Sequence, residues 1–196
     1  MKTKALNRAM CLGAASVLTL VLPMPSAFAS GQLPEQVNAQ NFMYRPATGL
    51  LEAVRKATAK YQDINKAKMD GYGPVLGCVS SPDDGTMGVH YLNPNLLGDG
   101  AVDVAHPELL VYEPMGNGRL QLVAVEYLTL ADTWDAAHKD GSPPLLMGQL
   151  FDYSSAPNRF RLPANYSLHV WAWKYNPKGV FSMWNPSVSC ADYTEM

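Results

Sequence analysis

One amphipathic helix followed only by short strand-like runs is the feature that most constrains the fold of this chain. After Thr48, which can cap a helix, apolar side chains recur at helical spacing. These side chains are Leu50, Leu51, Val54, Ala57, Tyr61 and Ile64. Gly71, Gly73 and Pro74 end the pattern. Because parallel strands need long crossover connections and no second long helix follows, an all-parallel sheet is disfavoured.

From Gly73 onward, short strand-like runs alternate with glycine, proline and asparagine residues. The runs are Thr86–Leu92, Leu109–Glu113, Arg119–Leu130, Leu145–Tyr153, Tyr166–Lys174 and Val180–Trp184. Asn117-Gly118 indicates a tight hairpin, since these residues readily adopt positive φ angles. A short helix is predicted over Ala131–His138. The sequence therefore predicts an α+β fold, with one amphipathic helix packed on a curved antiparallel sheet or a partly closed β-barrel.

Residues 1–29 have the pattern of a secretory signal peptide. Their charged side chains are all basic, namely Lys2, Lys4 and Arg8. The largely apolar run Ala9–Leu22 is too short to span a bilayer, although an uncleaved anchor is the alternative interpretation. The small residues that a signal peptidase accepts end at Ala29, and we expect cleavage after this residue. Cys11 lies inside the apolar run and not after it, so we expect no lipidation. The signal-peptide pattern predicts a periplasmic or secreted protein.

The remaining chain divides into a flexible leader over residues 30–47 and a single α+β domain over residues 48–196. The leader is polar, contains two prolines and shows no periodicity. The whole chain has a formal net charge of −2, and loss of the basic signal peptide makes the remainder more acidic. We therefore expect no binding to nucleic acid, and no membrane association after cleavage.

Two cysteines, Cys78 and Cys190, remain after cleavage and have one possible intramolecular pairing. A disulfide would join the segment after the helix to the C-terminal region and, in the chain-entropy model, stabilise the fold by about 4–5 kcal/mol. Free thiols or a metal-binding pair are the alternatives, but the chain lacks CxxC spacing.

A possible metal site consists of His90, Glu126 and His169, each within a predicted strand. On strict alternation, Glu126 shares a face with apolar residues, where an ionised carboxylate is costly without a partner. These residues are Leu120, Leu122, Ala124 and Leu128. Two imidazoles and one carboxylate at a barrel mouth would bind a divalent ion and leave positions open for water or substrate. Alternatively, each is a hydrogen-bonded core residue. Glu113 and Tyr91 are the next candidate ligands.

Aromatic residues are concentrated near the C-terminus and suggest a platform for a sugar ring, an apolar ligand or a peptide. They are Tyr166, Trp171, Trp173, Tyr175, Phe181 and Trp184. The alternative is that they form the core of a β domain. We take Tyr91, Trp171 and Trp173 as the ligand-binding candidates.

Several segments after Leu50 resemble a family of exported bacterial proteins of unknown function. The segments are Gly77–Val79, Met87–Pro94, Val125–Leu128, Leu168–Trp171 and Trp184–Cys190. The resemblance implies export and a single compact domain, and it implies no activity, substrate or catalytic residue.

The sequence contains no GxSxG, HExxH or P-loop motif. We therefore expect an exported protein that binds a small ligand or a divalent metal ion in a pocket lined by the His/Glu/His set and aromatic residues. A metal-dependent enzyme using the same residues is one alternative. An interaction or structural protein without a pocket is the other.

Overall fold

A computed structural model describes residues 39–194, with side chains from residue 48 onward. The predicted signal peptide and the first part of the predicted leader lie outside these residues. The helical segments are α1 (Ala39–Thr58), a 3-10 turn (Ala59–Gln62), α2 (Ile64–Met69), α3 (Pro94–Leu97) and α4 (Ala131–Ala137). The strands are β1 (Gly73–Ser81), β2 (Gly85–Leu92), β3 (Leu109–Met115), β4 (Arg119–Leu130), β5 (Leu145–Leu146), β6 (Gln149–Leu150), β7 (Asp152–Ser154) and β8 (Asn165–Val170).

Six of these strands form one antiparallel sheet in the order β1-β2-β3-β4-β8-β7, curled into a half-barrel, and β5 and β6 pair separately. The predicted α+β class and the curved antiparallel sheet are confirmed. The hairpin between β3 and β4 turns at Asn117 and Gly118, whose φ angles are 65° and 68°.

The helix that the sequence predicts as one element is divided, and it starts earlier than predicted. It begins at Ala39, so the later part of the predicted leader is helical. Pro46 lies within α1, and an interior proline usually ends a helix, which is why the pattern indicated a start after it. Asp63 caps α2 by accepting a hydrogen bond from the Asn65 backbone N–H at 2.9 Å, so a new helix starts there.

The side of the sheet that packs against the helices is here called the helix face. Leu50 and Val54 of α1 and Tyr61 of the 3-10 turn are buried against it. Its sheet residues include Val89, Tyr91, Leu110, Tyr112, Val125, Tyr127, Leu168 and Val170. The opposite side, here called the cavity face, carries residues that alternate with these. It includes His90, Leu109, Val111, Ala124, Glu126 and His169.

A β-bulge in β4 changes the faces that strict alternation predicts. Val111 pairs with Ala124, whereas the next residue, Tyr112, pairs with Leu122, so Val123 is an extra residue in β4. Leu122 consequently lies in the core on the helix face, opposite to Glu126. The expectation that Leu122 shares a face with Glu126 is therefore wrong.

Three further predicted strands differ from the structure. The strand predicted over Tyr166–Lys174 is β8, which ends at Val170. Val180–Trp184 forms turns and not a strand, and the Val180 carbonyl accepts a hydrogen bond from the Trp171 N–H, just after β8, at 3.0 Å. The Leu145–Tyr153 run is divided among β5, β6 and the start of β7, with Gly148 at a φ of 88° in the first turn.

The predicted disulfide between Cys78 and Cys190 is present, with a Cα–Cα distance of 5.9 Å. It joins β1 to the C-terminal segment, which also exchanges two backbone hydrogen bonds between Asn185 and Thr86. Within the described residues, none of the helices combines the length and apolar character needed to cross a membrane.

Candidate metal centre

His90, Glu126 and His169 converge on the cavity face from β2, β4 and β8. Glu126 pairs directly with His169 in the antiparallel register. Oε1 of Glu126 lies 3.6 Å from Nδ1 of His169, and Oε2 lies 3.7 Å from Nε2 of His90. One ligand atom from each residue lies within 4.8 Å of the other two. The structure thus brings together the three residues that the sequence predicts, here called the triad.

The spacing of the triad suits a shared ion better than direct hydrogen bonds. Separations of 3.6 Å and 3.7 Å exceed the usual range of about 2.7–3.2 Å for N–H···O hydrogen bonds. Nitrogen and oxygen ligands lie about 2.0–2.2 Å from a zinc ion, which places neighbouring ligand atoms about 3–3.5 Å apart. The two histidine–carboxylate separations are a few tenths of an ångström longer than this, and the three ligand atoms all lie within 4.8 Å of one another.

Gly88 fixes the position of β2 close to β3, two residues before His90. Its φ angle is +118°, and a Cβ atom there would lie 2.5 Å from the Tyr112 carbonyl oxygen. Only glycine fits this approach. A residue with a side chain would displace β2, and with it the imidazole of His90.

Burial sets the protonation of the triad. The exposed fractions of His90, Glu126 and His169 are 2%, 7% and 4%. Burial lowers the pKa of His90 and of His169 to about 4, so both imidazoles are neutral at pH 7, the form that binds metal ions. Burial raises the pKa of Glu126, while His90 and the Ser167 hydroxyl oppose that shift.

Two imidazole nitrogens of the triad are left without hydrogen-bond partners. Nδ1 of His90 and Nε2 of His169 are buried and make no hydrogen bond within the described part of the chain. A buried polar atom without a partner costs about 1–3 kcal/mol. The nitrogens nearest to Glu126 are the other two, Nε2 of His90 and Nδ1 of His169, so an ion held at those atoms would also leave Nδ1 of His90 and Nε2 of His169 without a partner among the described residues.

A cavity of about 40 Å³ lies against the triad. Its apolar lining consists of Leu76, Met87, Leu109, Leu128, Phe160, Leu162 and Met183. Ser154, Asn158, Asn165 and Ser167 add polar groups. A water needs about 10–15 Å³ measured this way, whereas small-molecule sites have volumes of about 300–1,000 Å³. This triad cavity has room for an ion with a water or another very small ligand.

Tyr91 and Glu113, the next candidate ligands, do not reach the triad. Tyr91 lies on the helix face, where its ring contacts Tyr112 at a centroid distance of 5.3 Å. Glu113 binds Lys174 at 2.5 Å and accepts a hydrogen bond from the Ser189 backbone N–H at 3.1 Å. Both residues have roles in packing the fold.

Trp171 and Trp173 line a separate cavity of about 690 Å³, together with Arg55 and Lys174. The indole N–H of Trp171 donates to the Ser182 carbonyl at 2.6 Å, and that of Trp173 donates to the Thr58 hydroxyl at 3.1 Å. The structure thus places the predicted metal ligands and the predicted aromatic platform in two cavities, where the sequence analysis expected one.

Sequence reasoning missed Ser167, whose hydroxyl lies near the carboxylate of Glu126. It stands two residues before His169 on β8, so strand alternation alone would have placed it on the same face. It also missed Asn158 and Phe160, because they come from the loop between β7 and β8 and carry no local signal for the triad cavity.

Comparison with protein-family models, curated proteins and solved structures finds no match to this chain. The resemblance to exported bacterial proteins therefore stays a prediction. The function has to be argued from the triad.

Proposed function

We propose that this chain is an exported protein that binds a divalent transition-metal ion through His90, Glu126 and His169. The observation that supports the proposal best is the geometry of three buried ligand groups that do not hydrogen-bond one another. Each imidazole has a nitrogen 3.6–3.7 Å from an oxygen of Glu126, one ligand atom from each residue lies within 4.8 Å of the other two, and both imidazoles are neutral at pH 7.

The ligand set favours Zn²⁺ or Fe²⁺. Imidazole nitrogen suits zinc, iron, copper and nickel, whereas calcium and magnesium prefer sites made of oxygen ligands only. Structural zinc sites have four protein ligands, whereas the described part of the chain supplies three here, beside a cavity. The ion would therefore keep at least one position for water or a small exogenous ligand.

Export is supported by two independent features. The Cys78–Cys190 disulfide fits an oxidising compartment, and the first 29 residues have the charge and hydropathy pattern of a cleavable signal. Sequencing the N-terminus of the protein recovered from the periplasm or medium tests this part. We expect Ser30 as the first residue, and an intact Met1 on exported protein would contradict cleavage.

A metal-dependent enzyme is the second candidate, favoured by the open coordination position beside the triad cavity. An ion bound there would lower the pKa of its water and supply a nucleophile at neutral pH. Azide distinguishes an open site from a closed one, because it perturbs the visible absorption of bound Co²⁺ only when it can coordinate. An unchanged spectrum at saturating azide would exclude this candidate.

A small organic ligand is a further candidate, for the cavity at Trp171 and Trp173 alone. Its volume of about 690 Å³ lies within the usual range for small-molecule sites. Screening by tryptophan fluorescence, with Trp173→Phe to assign the signal, tests this use. A hit that binds wild type and Trp173→Phe equally would place the ligand elsewhere.

Metal analysis of the exported, disulfide-bonded protein tests the main proposal. We expect one Zn²⁺ per chain after incubation with Zn²⁺ and removal of the excess, and substoichiometric binding in His90→Ala, Glu126→Gln and His169→Ala. His106→Ala is the matched control, since His106 is exposed and pairs with Asp103 at 2.7 Å. Equal zinc content in wild type and all three triad variants, each with native circular dichroism, would overturn the proposal.

A further inference from the structure

A second cavity of about 310 Å³ lies next to the triad cavity, and the two share a wall. Leu76 and Phe160 line both. The other residues of this outer cavity are Cys78, Val79, Ser80, Arg159 and Arg161. The two cavities therefore meet at two apolar side chains, one of which, Leu76, is 46% exposed.

The outer cavity is basic within a chain that is acidic overall. The described residues that line it include two arginines and no acidic residue. Arg159 is held in place, because its Nη2 donates to the Ser80 carbonyl at 3.0 Å and its guanidinium lies over the rings of Phe160 and Trp184, at 5.3 Å and 5.2 Å. An arginine has five N–H donors, so most of those of Arg159 are available to a ligand.

Arg161 is the less restrained of the two arginines. Its side chain is exposed and makes no hydrogen bond or ion pair within the described residues. Its backbone has a φ angle of 57°, and Leu76 across the outer cavity has a φ angle of 61°. Left-handed backbone at non-glycine residues is energetically costly and concentrates at functional sites.

We infer that the outer cavity binds the distal carboxylate of a small organic dicarboxylate whose other carboxylate coordinates the metal ion. This inference rests on the proposed metal site. Arginine binds carboxylates through two parallel N–H···O bonds. The inner volume of about 40 Å³ has room for one carboxylate group, and the outer cavity of about 310 Å³ accommodates the rest of the molecule.

The experiment uses Co²⁺-loaded protein, whose visible absorption reports ligands entering the coordination sphere. Succinate, glutarate and adipate are titrated as dicarboxylates of increasing length, with butyrate as the monocarboxylate. We expect the best dicarboxylate to bind at least about tenfold more tightly than butyrate, because the second carboxylate adds a charge-assisted pair with arginine.

Arg161→Gln should reduce this preference to about threefold or less while leaving the affinities for butyrate and Co²⁺ unchanged. Arg159→Gln serves as a second variant, so that a folding defect in one does not decide the result. Arg119→Gln is the control, since this exposed arginine at the start of β4 is absent from both cavities.

The outcomes separate the two proposals. If wild type does not bind Co²⁺, the metal site itself fails and this inference fails with it. If Co²⁺ binds but dicarboxylates show no preference over butyrate, or keep their preference in both arginine variants, only the inference about the outer cavity is overturned.

Discussion

Glu126 lies directly opposite His169 in the pairing of β4 with β8, and its Oε1 lies 3.6 Å from Nδ1 of His169. Opposite residues of an antiparallel pair share a face, so the register of these two strands is sufficient to place an imidazole beside the carboxylate. His90 reaches the same carboxylate from β2, on the far side of β3. The triad thus depends on pairing across four adjacent strands.

Glu126→Gln should weaken metal binding without weakening the metal-free fold. The variant removes an ionisable group from a site where burial raises its pKa, and it keeps the size and shape of the side chain. In EDTA, we expect its free energy of unfolding to equal or exceed that of wild type, whereas its zinc affinity falls by about 100-fold. Guanidinium denaturation and competitive zinc titration measure the two quantities.

Glu113→Gln is the matched control for that comparison. Glu113 is equally buried, but its carboxylate binds Lys174 at 2.5 Å and the Ser189 N–H at 3.1 Å. Its replacement should destabilise the fold by about 1–3 kcal/mol and leave zinc binding intact. A loss of stability in Glu126→Gln as large as in Glu113→Gln would instead identify the triad as a structural network.

Gly88→Ala should destabilise the fold and impair the metal site together. The new Cβ atom would lie 2.5 Å from the Tyr112 carbonyl oxygen, at a φ of +118° that alanine rarely adopts. We expect a loss of more than about 2 kcal/mol, seen as a lower denaturation midpoint. Gly116→Ala is the control, because a Cβ there meets nothing within 4 Å. Equal stability of the two variants would contradict the role given to Gly88.

Local sequence patterns predicted the strands that carry the triad, but they did not predict correctly the side of the sheet on which every residue of those strands lies. The alternation in Thr86–Leu92 and Arg119–Leu130 corresponds to β2 and β4 within one residue. Alternation failed at Val123, because a bulge adds a residue whose presence depends on the pairing with β3 and not on β4 itself. Glu126 was still placed with Ala124, since both follow the bulge.

The separation of the two cavities could not be predicted from local sequence. His169 and Trp171 are on one face by alternation, and Trp171 does pack with Val111 and Ala124 of the cavity face. However, β8 ends at Val170, and after the turn Trp173 packs against the core of the helix face. Both tryptophans line a different cavity from the triad. The loop residues Asn158 and Phe160 reach the triad cavity only through the tertiary fold. Hydrophobic periodicity contains no information about such contacts.

Removal of the disulfide should destabilise the protein and loosen the C-terminal segment. Cys78 and Cys190 are 112 residues apart, and in the chain-entropy model a crosslink over a loop of this length stabilises the fold by up to about 5 kcal/mol. We expect the double variant Cys78→Ala/Cys190→Ala to lose about 2–5 kcal/mol, with faster hydrogen exchange near Asn185. An unchanged denaturation midpoint would show that the other contacts of this segment are sufficient to hold it.

Glu108, a buried carboxylate outside the triad, should make the stability of the fold depend on pH. Its carboxylate is buried and accepts a hydrogen bond from the Leu128 backbone N–H at 3.0 Å, and burial raises its pKa from 4.5 to about 8. Between pH 4.5 and about pH 8, Glu108 is protonated in the folded state and ionised in the unfolded state. The protonated Glu108 therefore stabilises the fold fully below about pH 4.5, and this contribution is lost as the pH rises to about 8.

Glu108→Gln keeps an oxygen for the Leu128 N–H but cannot ionise, so it isolates this contribution. The wild-type free energy of unfolding is subtracted from that of the variant, with both measured in EDTA. This subtraction removes the contribution of the histidines, which both proteins share. We expect this difference, variant minus wild type, to increase by up to about 1.4 kcal/mol per pH unit between about pH 5 and pH 8. Above about pH 8 it should stay constant. A flat difference would instead show that Glu108 ionises equally in the folded and unfolded states.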